Sequence, residues 1–111
     1  MNKDPLIFLR HIFDSISAIE DFLKNTDKKE FDSNLMMQDA VVRRLEIIGE
    51  ATKNLPVGFK QKHKEIPWKD VAGMRDKLTH HYFGINLENV WKVIQEDIPK
   101  LKIQIEKILN N

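Results

Sequence analysis

Apolar side chains recur every three to four residues along nearly all of this 111-residue chain, and only four glycines and four prolines interrupt them. That spacing is the strongest constraint on the fold. It places an apolar stripe on one side of an α-helix and contradicts the two-residue alternation of a half-buried strand. Asp4 followed by Pro5 marks the first start: an N-cap acceptor, then a proline whose missing N–H costs nothing at the first helical position. Leu6, Leu9, Phe13, Ile16, Phe22 and Leu23 predict an amphipathic helix to about Asn25. The charged stretch 26–32 reads as a loop or a single turn. Asp32 or Ser33 is expected to cap a second helix reaching about Leu55, striped by Met37, Val41, Leu45, Ile48 and Leu55. Ile47 widens that stripe, so burial on more than one side is expected. Gly49 lowers helix propensity there, and close approach of a neighbouring backbone is the expected reason. Pro56, Val57 and Gly58 end the helix.

Pro67 opens a third helix, with Trp68 near its start, Val71, Met74 and Leu78 facing inward, and Gly84 as a left-handed stop. Asn86 is expected to cap a fourth, carrying Leu87, Val90, Trp91 and Ile94. Pro99 should kink or break it, because the backbone bond four residues back is lost. Leu101, Ile105, Ile108 and Leu109 continue an apolar face. Short connections favour antiparallel neighbours. The expected fold class is all-α: an antiparallel up-and-down four-helix bundle over residues 1–111 as one domain, with room for a short extra helix between the second and third. Several helices are apolar over a wide arc, and a homodimer interface would account for the excess.

Composition narrows the function classes. No apolar run approaches the roughly 20 residues that span a bilayer, and the N-terminus lacks the features of a signal peptide. The cytoplasm is therefore the expected location, with no membrane partner. The chain has no cysteine, which excludes disulfides and thiolate zinc sites. A net charge of +1 is too balanced to grip nucleic acid by bulk charge. Residues 1–58 carry 8 basic and 10 acidic side chains, and residues 59–111 carry 10 basic and 7 acidic, so the second part is mildly attractive to phosphate.

That second part contains Arg75-Asp76-Lys77-Leu78-Thr79-His80-His81-Tyr82, the richest chemical stretch of the chain. An arginine can hold a phosphate through two parallel hydrogen bonds. A histidine titrating near neutral pH can take a proton from a hydroxyl or give one to a leaving oxygen. Together they suit chemistry on a phosphodiester, and neither job needs a metal. Asp76 can accept a hydrogen bond from His80 at the i+4 position and fix its tautomer. On an ideal helix Arg75 and Tyr82 share a face, whereas His80 lies about 140° round the axis from Arg75. Two things would bring Arg75 and His80 together: unwinding near Gly84, or a second copy of the chain across a two-fold axis.

The plainer readings have weight elsewhere. His81 is expected to serve the C-terminal carbonyls of the third helix, and adjacent histidines make a poor metal pair. His11 and His63 are expected at the surface. Arg43, Arg44, Glu46 and Glu50 read as helix-surface pairs at i, i+3 and i+4, with a role lining the cleft as the lesser alternative. Trp68 and Trp91 read as packing anchors rather than base-stacking platforms.

Arg75-Asp76-x3-His80-x-Tyr82 resembles the Arg-x4–6-His signature of the HEPN superfamily, and its extended form resembles the HepT branch. Arg44-Leu45-Glu46-Ile47-Ile48-Gly49-Glu50-Ala51 and Tyr82-Phe83-Gly84-Ile85 are similar to that branch as well. The resemblance implies a dimerising helical bundle whose cleft, at the dimer interface, cleaves RNA without metal or other cofactor. It implies catalytic roles for Arg75 on the phosphate and His80 as acid and base, with Asp76 supporting them. It implies further that the chain is a toxin, neutralised by an MNT-type nucleotidyltransferase antitoxin that uses ATP to AMPylate Tyr82. The alternative expectation is a non-catalytic regulatory subunit that binds nucleotide or the nucleotidyltransferase.

Overall fold

The structure, a computed structural model, describes residues 4–80 and 84–110, with the backbone alone for residues 77, 79, 80, 84 and 85. Helix α1 (Pro5–Leu23) starts as its sequence dictates, the Asp4 carboxylate accepting from the Leu6 N–H at 2.9 Å. It stops ahead of Asn25, which takes the left-handed conformation at φ 62°, a role asparagine fills more readily than most residues. The charged stretch after it forms a short helix, α2 (Lys28–Asp32), capped by Asp27. Helix α3 (Leu35–Lys53) is capped by Asn34 rather than by Asp32 or Ser33, because α2 already uses those two residues at its end. The extra helix expected between the second and third is α4 (Val57–Lys62).

The expected third helix is divided. Helix α5 (Trp68–Ala72) and helix α6 (Met74–Leu78) meet at Gly73, whose low helix propensity makes it the cheapest place to bend. Beyond Leu78 the chain forms a two-stranded antiparallel ladder, β1 (Thr79–His80) with β2 (Gly84–Ile85), in which Thr79 faces Ile85 and His80 faces Gly84. The helix therefore ends six residues before Gly84, and Gly84 serves as a strand partner. The Leu78 carbonyl, left without a helical partner, accepts the Asn86 N–H at 2.7 Å and closes the hairpin. Asn86 then caps α7 (Leu87–Lys92), as expected.

Pro99 does not break the last helix. A π-helical turn (Val93–Asp97) precedes it and leads without interruption into α8 (Ile98–Leu109). A widened turn is one way a helix accommodates a proline that cannot donate to the carbonyl four residues back.

Four helical rods, α1, α3, α5–α6 and α7–α8, thus form the expected bundle. Helix α3 is central: it packs against α1, α2, α5 and α6, which accounts for its wide apolar arc. Val41, Leu45 and Ile48 from α3, Ile12 and Ile16 from α1, Val71 and Leu78 from the third rod and Ile105 from α8 are buried in one core. Trp68 is a packing anchor, its indole N–H donating to the carbonyls of His63 (2.9 Å) and Lys60 (3.2 Å). Trp91 is half-buried against Phe31, with ring centroids 5.4 Å apart. His11 is exposed, while His63 is partly covered and packs on Phe59. Lys28 pairs with Asp32 on its own helix (2.7 Å) and ties α2 to the first turn of α7 through Glu88 (2.6 Å), and those carboxylates, Asp32 foremost, raise its ammonium above its ordinary pKa of 10.5. No helix among the described residues is long and apolar enough to cross a membrane.

Candidate active site

The site is built on the contact between α3 and the third rod, and Gly49 makes that contact possible. A Cβ added at Gly49 would lie 3.3 Å from the carbonyl oxygen of Ala72 and 3.5 Å from that of Val71. The expected close approach of a neighbouring backbone is thus the last turn of α5. An alanine there would crowd the Ala72 carbonyl while gaining about 1 kcal/mol of helix propensity, so the two effects nearly cancel. Gly49→Val adds branched bulk against a backbone that cannot swing aside. It is expected to lose roughly 1–3 kcal/mol, read as a lowered thermal midpoint, whereas Gly49→Ala should melt close to the parent.

Three residues before Gly49, and so on the same side of α3, stands Glu46. Its Oε2 lies 3.3 Å from Nε of Arg75 in α6. Glu46 had been expected to pair along its own helix; it reaches across to the third rod instead. Glu50 does keep a local partner, Lys53, at 3.7 Å. The Arg75 side chain is 70% exposed and that of Glu46 27%, so the carboxylate is set into the bundle and the cation stands outside it. An ion pair this open contributes about 0–1 kcal/mol to stability. The sequence reading held a cleft role for Glu46 only as the lesser alternative and did not pair it with Arg75, although one signal pointed there: a carboxylate one turn from a mid-helix glycine expected to touch a neighbour.

Asp76 follows Arg75 in the first turn of α6 and is exposed. His80 lies two residues past the end of α6, in β1, so Asp76 and His80 do not share a helix and the i+4 relation expected of them does not hold. The 140° separation between Arg75 and His80 likewise assumed a continuous helix and lapses at Leu78. The chain unwinds at Thr79, well before Gly84. His81 and Tyr82 lie outside the described residues. The third rod thus presents Arg75 at the surface on its last helical turn, and passes directly into the hairpin that carries His80.

Residues 12–108 match the family model described as Ribonuclease HepT-like. A Methanocaldococcus jannaschii protein named as a gamma-glutamylcyclotransferase and candidate RNase is 50% identical over 109 residues, which make up 98% of this chain and 49% of that protein. The chain therefore spans about half the length of that relative. A Thermococcus cleftensis protein named as a candidate ribonuclease HepT is 48% identical over 97% of this chain and 98% of its own. A Caldanaerobacter subterraneus protein named as a candidate RNase is 44% identical over 96% of each. No solved structure gave a significant match. With nearly its whole length aligned to a family that its Arg75 and His80 motif also resembles, the chain belongs to the HepT-like ribonuclease family.

Proposed function

We propose that this chain is a metal-independent endoribonuclease, acting as a homodimer and as the toxin of a toxin–antitoxin pair. The observation that carries the reading is the placement of Arg75: an exposed guanidinium, anchored at Nε and followed by the strand bearing His80, in a chain of a ribonuclease family. Arg75 holds the scissile phosphate and stabilises the negative charge that grows on its oxygens. His80 takes the proton of the adjacent 2′-hydroxyl as that oxygen bonds to phosphorus. It returns a proton to the 5′-oxygen as the phosphorus–oxygen bond breaks, leaving a 2′,3′-cyclic phosphate and a 5′-hydroxyl. Asp76, beside Arg75, supports the site electrostatically.

Apolar side chains left open on the protomer, Leu35 and Met36 at the start of α3 above all, favour a dimer, because a second copy would cover them. The partner is an MNT-type nucleotidyltransferase that transfers AMP from ATP to the Tyr82 hydroxyl. Negative charge and bulk added two residues from His80 would repel the RNA backbone.

The test is cleavage of an unstructured RNA by the purified chain, free of any partner, in EDTA. Cutting with cyclic-phosphate ends is expected. Preincubation with the nucleotidyltransferase and ATP should add AMP to the parent, stop the cutting, and leave a Tyr82→Phe protein unmodified. A folded, unmodified chain that leaves RNA intact would instead identify a non-catalytic subunit that binds nucleotide or the nucleotidyltransferase.

A further inference from the structure

We infer that Glu46 is the positioning residue of Arg75: it holds the guanidinium by Nε and leaves the terminal nitrogens to grip the phosphate. This rests on the ribonuclease reading above and deepens it.

Three observations carry the inference. The first is the donor arithmetic. A guanidinium has five N–H groups, one on Nε and four on the two Nη atoms. The nearest approach to Glu46 is at Nε, 3.3 Å from Oε2, and a carboxylate held there is compatible with a phosphate on the Nη atoms. The second is the depth of the partners. Glu46 is the more buried member and belongs to α3, which packs against four other helices, whereas Arg75 is mostly in solvent on a five-residue helix. The rigid partner therefore holds the mobile one. An untethered arginine must surrender its rotamer freedom when it meets phosphate, and a tethered one has done so beforehand. The third is the scaffold. The close approach of the α5 backbone to Gly49 sets the spacing of α3 and the third rod one turn from Glu46, so the reach to Arg75 is fixed by backbone packing rather than by the side chains themselves.

Glu46 also acts against binding, since a carboxylate beside the guanidinium offsets part of its attraction for phosphate. Positioning and charge therefore pull in opposite directions, and substitution separates them. Glu46→Gln keeps an oxygen that can accept the Nε–H and removes the charge. Glu46→Ala removes both.

The experiment is single-turnover cleavage and RNA binding for the parent and for Glu46→Ala, Glu46→Gln, Arg75→Ala and the Glu46→Ala/Arg75→Ala double variant, with thermal melts to show that each is folded. Glu46→Ala is expected to lower the cleavage rate roughly 10–100-fold while RNA affinity holds or improves. Glu46→Gln should recover most of the rate. The double variant should cleave no more slowly than Arg75→Ala, because Glu46 acts only through that arginine. A Glu46→Ala protein as fast as the parent, or faster, overturns the inference, and a faster one would make Glu46 a competitor for the guanidinium. An equal slowing in the presence and absence of Arg75 overturns it too, since Glu46 would then act through the fold. A parent that leaves RNA intact, or an Arg75→Ala protein that cuts as well as the parent, sinks the ribonuclease reading and this inference with it. Cutting that depends on Arg75 and ignores Glu46 sinks this inference alone.

Discussion

His80→Ala is expected to fold and bind RNA like the parent and to cleave it about 10²–10⁴-fold more slowly, the range that a positioned acid–base group supplies. The argument begins with the two protons that move. One leaves a hydroxyl that is a very weak acid, and one must reach a 5′-oxygen that departs poorly as an alkoxide. A single imidazole, titrating near neutral pH, can do both in turn, and neither a carboxylate nor an ammonium is present in both forms at that pH. The backbone of His80 lies in β1. It is held in the ladder opposite Gly84, with the Thr79 and Ile85 pair on one side and the Asn86 to Leu78 hydrogen bond (2.7 Å) securing the base of the hairpin. The residue directly across from His80 is a glycine, Gly84. The hairpin is two residues deep, so truncating one side chain there should cost little stability. Time courses in EDTA, with a melt of the same preparation, decide the matter. A folded His80→Ala protein that cuts at the parent rate would remove His80 from the mechanism.

Most of the fold could be read from periodicity and caps, and the exceptions have physical causes. Val41, Leu45, Ile48, Val71, Met74, Leu78 and Ile105 were assigned inward by spacing and are buried. Asp4 and Asn86 cap as expected because a side-chain oxygen ahead of an apolar run satisfies an otherwise unpaired N–H. In α1 the assigned stripe holds in part: Leu9 and Ile16 are buried, but Leu6 and Phe22 are exposed, while Ile12 and Ile19, left out of the stripe, are buried. That helix is apolar on more than one side, and only its packing against α3 and α8 decides which side goes inward. The end of the third rod was placed too late because residues 79–85 show no alternation. What stops the helix is a pairing between strands three residues apart and a hydrogen bond from Asn86, and neither leaves a periodic trace. Of the candidate site, the motif residues were legible as chemistry, but the partner of Arg75 was not. Rules for pairs at i+3 and i+4 look along one helix, and Glu46 lies 29 residues away on another.

Arg75→Ala should reduce kcat by about 10²–10³-fold, the loss typical of removing one donor to a charge that develops in the transition state. Its open ion pair with Glu46 contributes about 0–1 kcal/mol, which corresponds to a fall of only a few degrees in the thermal midpoint of a domain this size. Loss of rate with the fold intact is therefore the expected signature, and it separates Arg75 from a buried core residue such as Leu78, whose truncation to alanine would cost about 2–5 kcal/mol of stability. Arg75→Lys sharpens the point. It keeps the positive charge and should retain most of the RNA affinity, but an ammonium lacks the planar fork that holds two phosphate oxygens at once. The rate should then stay much nearer to that of Arg75→Ala than to that of the parent. Salt provides an independent reading. If Arg75 makes one phosphate contact on single-stranded RNA, its removal should flatten the slope of log affinity against log salt by about 0.7. A slope unchanged in Arg75→Ala, together with a lysine variant as active as the parent, would mean that the guanidinium never meets the phosphate, and the site would have to be rebuilt around His80 without it.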